Sequence, residues 1–186
     1  MELQDVLNER RSIRSYDADK KVTKEQLEII INAAILAPSW KNLQTSRYYC
    51  ILSDEMIKEF SDKCLPEFNQ KNSEGAALVV TTFVKNCVGF DRLSGEPVNE
   101  CANGWGYYDL GLQNENFVLK AKESGLDTLI MGIRDGEDNY DTIDVNKSPN
   151  FHVNDTTSDA SRIRTSPHFI NTNKFTTSNE KKCTIK

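Results

Sequence analysis

Arg10-Arg11-Ser12-Ile13-Arg14 sets three guanidinium groups and a hydroxyl within five residues, just after a short helical pattern. Each guanidinium is a planar fork of N–H donors that matches a phosphate bidentately, and the serine adds a further donor. Such a cluster suits one phosphate monoester and the polar edge of whatever carries it. Taken alone, a basic cluster is more often a solvated face. A second stretch, Ala37-Pro38-Ser39-Trp40-Lys41-Asn42-Leu43-Gln44, shifts that balance, because it gathers hydroxyl, amide and aromatic side chains in one polar connector.

Before the arginines, Leu3, Val6 and Leu7 recur at helical spacing, so residues 2–10 read as a short amphipathic helix delivering Arg10 and Arg11 at its C-terminal end. The helix dipole favours cations there on its own account. After them, Thr23-Lys24-Glu25-Gln26 is a capping box that opens a helix with Leu27, Ile30, Ile31, Ala34 and Ile35 inward. Pro38 closes that helix, since the residue before a proline is pushed out of the helical region.

Arg47 to Leu52 reads as a buried strand, and Asp54 as the cap of a helix facing inward with Ile57, Phe60 and Cys64. Residues 66–75 read as loop. Leu78 to Val84 is the clearest strand, β-branched almost throughout. Residues 86–104, with Gly89, Gly95, Pro97 and Gly104, form a long loop of the kind that serves as a binding element or lid. Trp105 to Ser124 reads as a long helix capped by Gly125. Gln113 and Asn114 fall on its inward stripe, where they either tie down a neighbouring segment or meet a ligand. Asp127 to Met131 is a further strand, and Gly132 directly after it lets a flat ligand approach bare backbone.

Composition changes after residue 135: residues 1–135 hold fourteen leucines and residues 136–186 none, while Asn, Ser and Thr supply 20 of those last 51. Such a segment buries too little apolar surface to offset its ordering entropy. The expected organisation is therefore a core at 1–135 and a divergent, poorly ordered tail at 136–186. A net charge of −5 argues against a nucleic-acid partner held by bulk positive charge, so any anion site is local. No apolar run approaches a membrane span, and the N-terminus lacks signal-peptide form. Five scattered cysteines without a C-x-x-C pair fit a reduced, cytoplasmic protein without a zinc site.

Both histidines, His152 and His168, lie in the tail, so no histidine-based triad is expected in the core. There is no metal-ligand spacing, Walker loop or G-x-G-x-x-G. Difficult chemistry would have to come from a cofactor.

Arg10-Arg11-Ser12-Ile13-Arg14-Ser15-Tyr16 followed by Ala37-Pro38-Ser39-x-x-Asn42-x-Gln44 resembles the FMN-dependent nitroreductase family. The helix carrying Gln113-Asn114 and ending at Gly125-Leu126, and the strand running into Met131-Gly132, resemble the rest of that family's core. The resemblance spans about residues 2–135. It implies an α+β sandwich with a central mixed, mostly antiparallel sheet flanked by helices, and a homodimer with FMN sites at the subunit interface. Arg10, Arg11, Ser12 and Arg14 would hold the phosphate, ribityl chain and pyrimidine edge from one subunit. Pro38, Ser39, Trp40 and Asn42 would come from the other, and Ile130, Met131 and Gly132 would line the central ring. Trp40 would wall the substrate side or pack the interface. No catalytic side chain is implied: NAD(P)H would reduce the flavin, and a nitroaromatic, quinone or similar small acceptor would reoxidise it. A degenerate, non-catalytic flavin binder, or reductive dehalogenation or flavin-ring cleavage in the same fold, are the alternatives. Lys and Arg occur in the tail, but without the strand or the glycine that the family pattern would supply to place them.

Overall fold

β2 (Ala76–Phe83) is buried at every position, and the other described elements are layered around it. The computed structural model describes residues 1–133, and residues 168–173 as backbone. Among the described residues one sheet of four strands runs in the order β1-β2-β4-β3, with β1 at Ser46–Ile51, β3 at Thr128–Met131 and β4 at His168–Asn173. All its pairings are antiparallel. Among the described residues the parallel component is a single bridge, Ser12 to Thr128.

Because successive side chains of a strand point to opposite faces, β1 and β2 feed two cores. Tyr48, Ala77 and Val79 meet Leu27, Ile30 and Ile31 of α2 (Lys24–Ala34) and Phe117, Val118 and Ala121 of α5 (Gly104–Glu123). Tyr49, Ile51, Leu78 and Val80 meet Phe60 and Cys64 of α3 (Asp54–Cys64), with Leu129 and Met131 from β3. Helices therefore cover both faces. Fully buried side chains such as Phe60 and Phe117 contribute about 1.5–3 kcal/mol each. Gly106 lets α5 approach β2 closely, since a Cβ there would lie 2.3 Å from the Phe83 ring.

The local signals explain where most elements begin. The capping box at α2 is complete: Gln26 N–H donates to Thr23 Oγ1 at 3.2 Å, and Thr23 N–H to Gln26 Oε1 at 2.8 Å. The cap of α3 is Ser53 rather than the expected Asp54, because Ser53 holds the extended backbone and its Oγ accepts from Met56 N–H at 3.2 Å. Asp54 sits in the first turn and pairs with Lys21 at 2.9 Å. Residues expected as loop contain α4 (Glu67–Asn72), entered through Pro66 in extended conformation. Glu67 and Lys71 complement its dipole, and a helix this short has no stripe to read.

The largest correction concerns the tail, where no strand was expected. β4 lies inside the sheet, pairing Ala76–Thr81 on one side and Thr128–Met131 on the other. Its polar composition is overridden by the two rows of backbone groups that it satisfies at once. The remaining residues of the expected tail lie outside those described.

Candidate functional site

α1 (Leu3–Glu9) stops where Arg10 turns to an extended conformation, its N–H still donating to Val6 O at 2.9 Å. The chain then docks on β3 through the Ser12–Thr128 bridge, with Ile13 N–H donating to Thr128 O at 3.1 Å. Tyr16 OH donates to Ile13 O at 2.8 Å and braces the turn. Burial, reinforced by Asp127 and opposed by Arg14, pushes this phenol well above its ordinary pKa, so it stays a neutral donor.

Backbone pairing thus fixes the arginine stretch while its side chains stay outside the core. Arg11 and Arg14 are exposed and Arg10 is half-buried. Arg11 Nη1 donates to Arg10 O at 2.7 Å and Arg14 Nη1 to Ser12 O at 3.4 Å, which leaves most of each fork available. Among the described residues none of the three forms an ion pair. Asp127, beside this turn, is engaged by Lys122 at 3.2 Å. The result is a concentrated positive patch on a chain of net charge −5.

β3 runs from this patch to Gly132. Ile130 is half-exposed, whereas Met131 is buried in the α3-side core, so Met131 offers only backbone to a ligand. Gly132 is exposed, and a Cβ placed there meets nothing within 4 Å among the described residues. The next carbonyl, Ile133 O, accepts from Asn69 Nδ2 at 2.7 Å, which ties the end of the strand to α4.

Pro38, Ser39, Trp40 and Asn42 form a separate cluster ahead of β1. A 3₁₀ turn at Trp40–Asn42 carries the chain through three left-handed, non-glycine residues, Lys41 (φ 49°), Asn42 (φ 55°) and Gln44 (φ 51°). Each costs about 1 kcal/mol, so other contacts must hold this shape. Ser39 Oγ accepts from Gln44 N–H at 3.2 Å, and Asn42 Oδ1 accepts from Gln44 Nε2 at 3.2 Å. Trp40 N–H donates to Asp109 Oδ2 at 2.9 Å. The Trp40 ring lies 4.8 Å from that of Trp105, tilted by 49°, and Trp105 packs edge-on to Tyr108 at 6.0 Å.

Of the inward polar pair on α5, Asn114 takes a structural role. Asn114 Nδ2 donates to Thr81 Oγ1 at 3.1 Å, tying α5 to β2. Asp109 and Asn69 were not singled out from the sequence, yet both anchor segments of the candidate site. Trp105, Asp109 and Gln113 recur every four residues along α5, a stripe that would have flagged Asp109. Burial raises the Asp109 carboxyl pKa above its ordinary value, with the Trp40 N–H acting in the opposite direction. Among the described residues no group of three or more His, Cys, Asp or Glu side chains is arranged to hold a metal ion.

One chain does not join the two clusters. β1 and β3 are the outer strands, and pairing places Thr128 in the row of Ala77 but Ser46 in the row of Phe83. The arginine stretch, one strand spacing beyond β3, and the connector therefore occupy diagonal corners, about 19 Å apart across the sheet and about 20 Å along it.

Residues 7–152 match the model of the nitroreductase family. A provisionally named NAD(P)H nitroreductase of Bacillus subtilis is 34% identical over 79 residues, which is 42% of this chain and 37% of that protein. A provisionally named NADH dehydrogenase/NAD(P)H nitroreductase of Archaeoglobus fulgidus is 30% identical over 129 residues, 67% of this chain and 63% of that protein. The chain thus matches less than two thirds of the length of either relative. A provisionally named nitroreductase of Exiguobacterium sibiricum, solved in complex with FMN, superposes with a TM-score of 0.65 over 100% of this chain and 94% of its own. At 22% identity that likeness is one of fold.

Proposed function

Since the chain belongs to the nitroreductase family, we propose that it is an FMN-dependent oxidoreductase with NAD(P)H as electron donor. The observation that carries this reading is the arginine stretch clamped to β3 beside an unobstructed glycine. Three guanidinium groups with no carboxylate partner among the described residues, together with the Ser12 hydroxyl, fit a phosphate monoester. The open space at Gly132 fits a flat ring against bare backbone. FMN, when bound, supplies the two-electron chemistry that these side chains cannot.

The chain's own residues then bind, orient and shield. Arg10, Arg11 and Arg14 neutralise the phosphate, and the Ser12–Thr128 bridge fixes their distance from Gly132. Ile130 packs beside the ring, while Met131 and Gly132 present backbone. The Pro38–Asn42 connector of a second copy, too far away within one chain, closes the site in a homodimer. Its Ser39 and Asn42 offer polar contacts, and Trp40 with Trp105 offers an aromatic wall. Such a wall suits nitroaromatic or quinone acceptors. The two relatives described above carry NAD(P)H in their names, which supports the choice of donor.

The test is spectroscopic. Purified protein loaded with FMN should show flavin absorbance that bleaches on adding NAD(P)H without oxygen and returns with a nitroarene or quinone. Bound flavin that NAD(P)H leaves oxidised would contradict the reading.

A further inference from the structure

Asp109 is 3% exposed and has no cationic partner among the described residues. A buried carboxylate is costly unless it is hydrogen-bonded to some purpose. Its Oδ2 accepts from the Trp40 N–H at 2.9 Å, across 69 positions of sequence. One turn earlier on the same helix face, Trp105 packs against the Trp40 ring at 4.8 Å. α5 therefore grips residue 40 twice, through its backbone and through its ring. The next residues are those with left-handed backbone, Lys41, Asn42 and Gln44. The bonds within the connector link Ser39, Asn42 and Gln44 to one another, and the Asp109 bond ties the turn to α5.

We propose that Asp109 is a positioning residue, which holds the Ser39–Gln44 connector in the strained shape that receives the cofactor in a neighbouring subunit. This inference rests on the FMN reading above for what the connector receives, but not for how it is held. A charge-assisted acceptor suits the task, because it gives a stronger bond to one N–H than a neutral group would. α5 carries the load because its inner face is fixed in the core by Phe117, Val118 and Ala121.

The protein contains two tryptophans, and they are the pair at issue. Near-ultraviolet circular dichroism of the cofactor-free protein thus reads the connector directly, and a flavin-fluorescence titration reads what it does. Asp109→Ala should lose the tryptophan-pair signal and weaken FMN binding about tenfold. Asp109→Asn keeps an acceptor for the Trp40 N–H and should restore both. Far-ultraviolet spectra and thermal melts establish that each variant is folded; should Asp109→Ala not fold, Asp109→Asn still decides the matter. A folded Asp109→Ala with the wild-type signal and affinity would overturn the proposal. So would an Asp109→Asn that loses both. If wild-type protein binds no FMN, the cofactor reading fails, while the dichroism of the variants still decides whether Asp109 holds the connector.

Discussion

Ser12 and Thr128 are bridge partners in parallel register, and Ile13 N–H reaches the Thr128 carbonyl at 3.1 Å. This backbone link places the arginine stretch one strand-length from Gly132. Arg14→Ala should therefore weaken FMN binding by about 10- to 150-fold, the effect of removing one charge-assisted contact. Lys41→Ala, on the exposed connector, should change it far less. Equal effects of the two substitutions in a fluorescence titration would reject the arginine clamp.

Gly132→Val separates fold from function at the other end of β3. A Cβ at Gly132 meets no atom of the described residues within 4 Å, so stability should change by no more than about 0.5 kcal/mol. The added side chain would stand where the ring is proposed to lie, so FMN affinity should drop sharply. A variant that binds FMN like the wild type would place the ring elsewhere.

Asp109 gives a pH dependence with a defined sign. Its pKa is raised in the folded protein, chiefly by burial, so the folded state holds that proton more tightly than the unfolded one. Its contribution to stability is fully present below the unfolded pKa and is lost as pH rises through the folded value. At pH 7 the buried charge is a cost, and Asp109→Asn should melt higher than the wild type. That advantage should shrink as pH falls through the carboxylate range. An advantage independent of pH would mean that the charge is not its source.

β4 carries a prediction about the part of the chain whose composition is least favourable to folding. Ile170 pairs with both Val79 and Ile130. Ile170→Pro removes a backbone donor inside the sheet, and each group left unpaired costs about 1–3 kcal/mol. The thermal midpoint should fall by several degrees. An unchanged midpoint would show that the strand contributes nothing to stability.

What was legible in the sequence was local. The capping box and stripe of α2 are written within a few residues, and so is the β-branched run of β2. The resemblance spanning the Arg10–Arg14 and Pro38–Gln44 stretches pointed to the family. Illegible features depend on contacts between distant positions. The Asp109–Trp40 bond spans 69 residues, and Asn69 reaches Ile133 from a helix too short to show a period. β4 owes its place to backbone groups offered by β2 and β3, and its own composition signals no strand. The diagonal separation of the two site clusters follows from strand order, which no local pattern encodes.

That separation makes the shared site the central claim, and subunit mixing tests it most directly. Arg10→Ala/Arg14→Ala disables one cluster and Trp40→Ala/Asn42→Ala the other, so each variant alone should bind FMN poorly. After subunit exchange, confirmed with distinct tags, half of the dimers are mixed and each mixed dimer has one complete site. FMN binding should then recover to about a quarter of the wild-type number of sites. A mixture that binds no more FMN than the two variants measured separately would contradict a site built from two subunits.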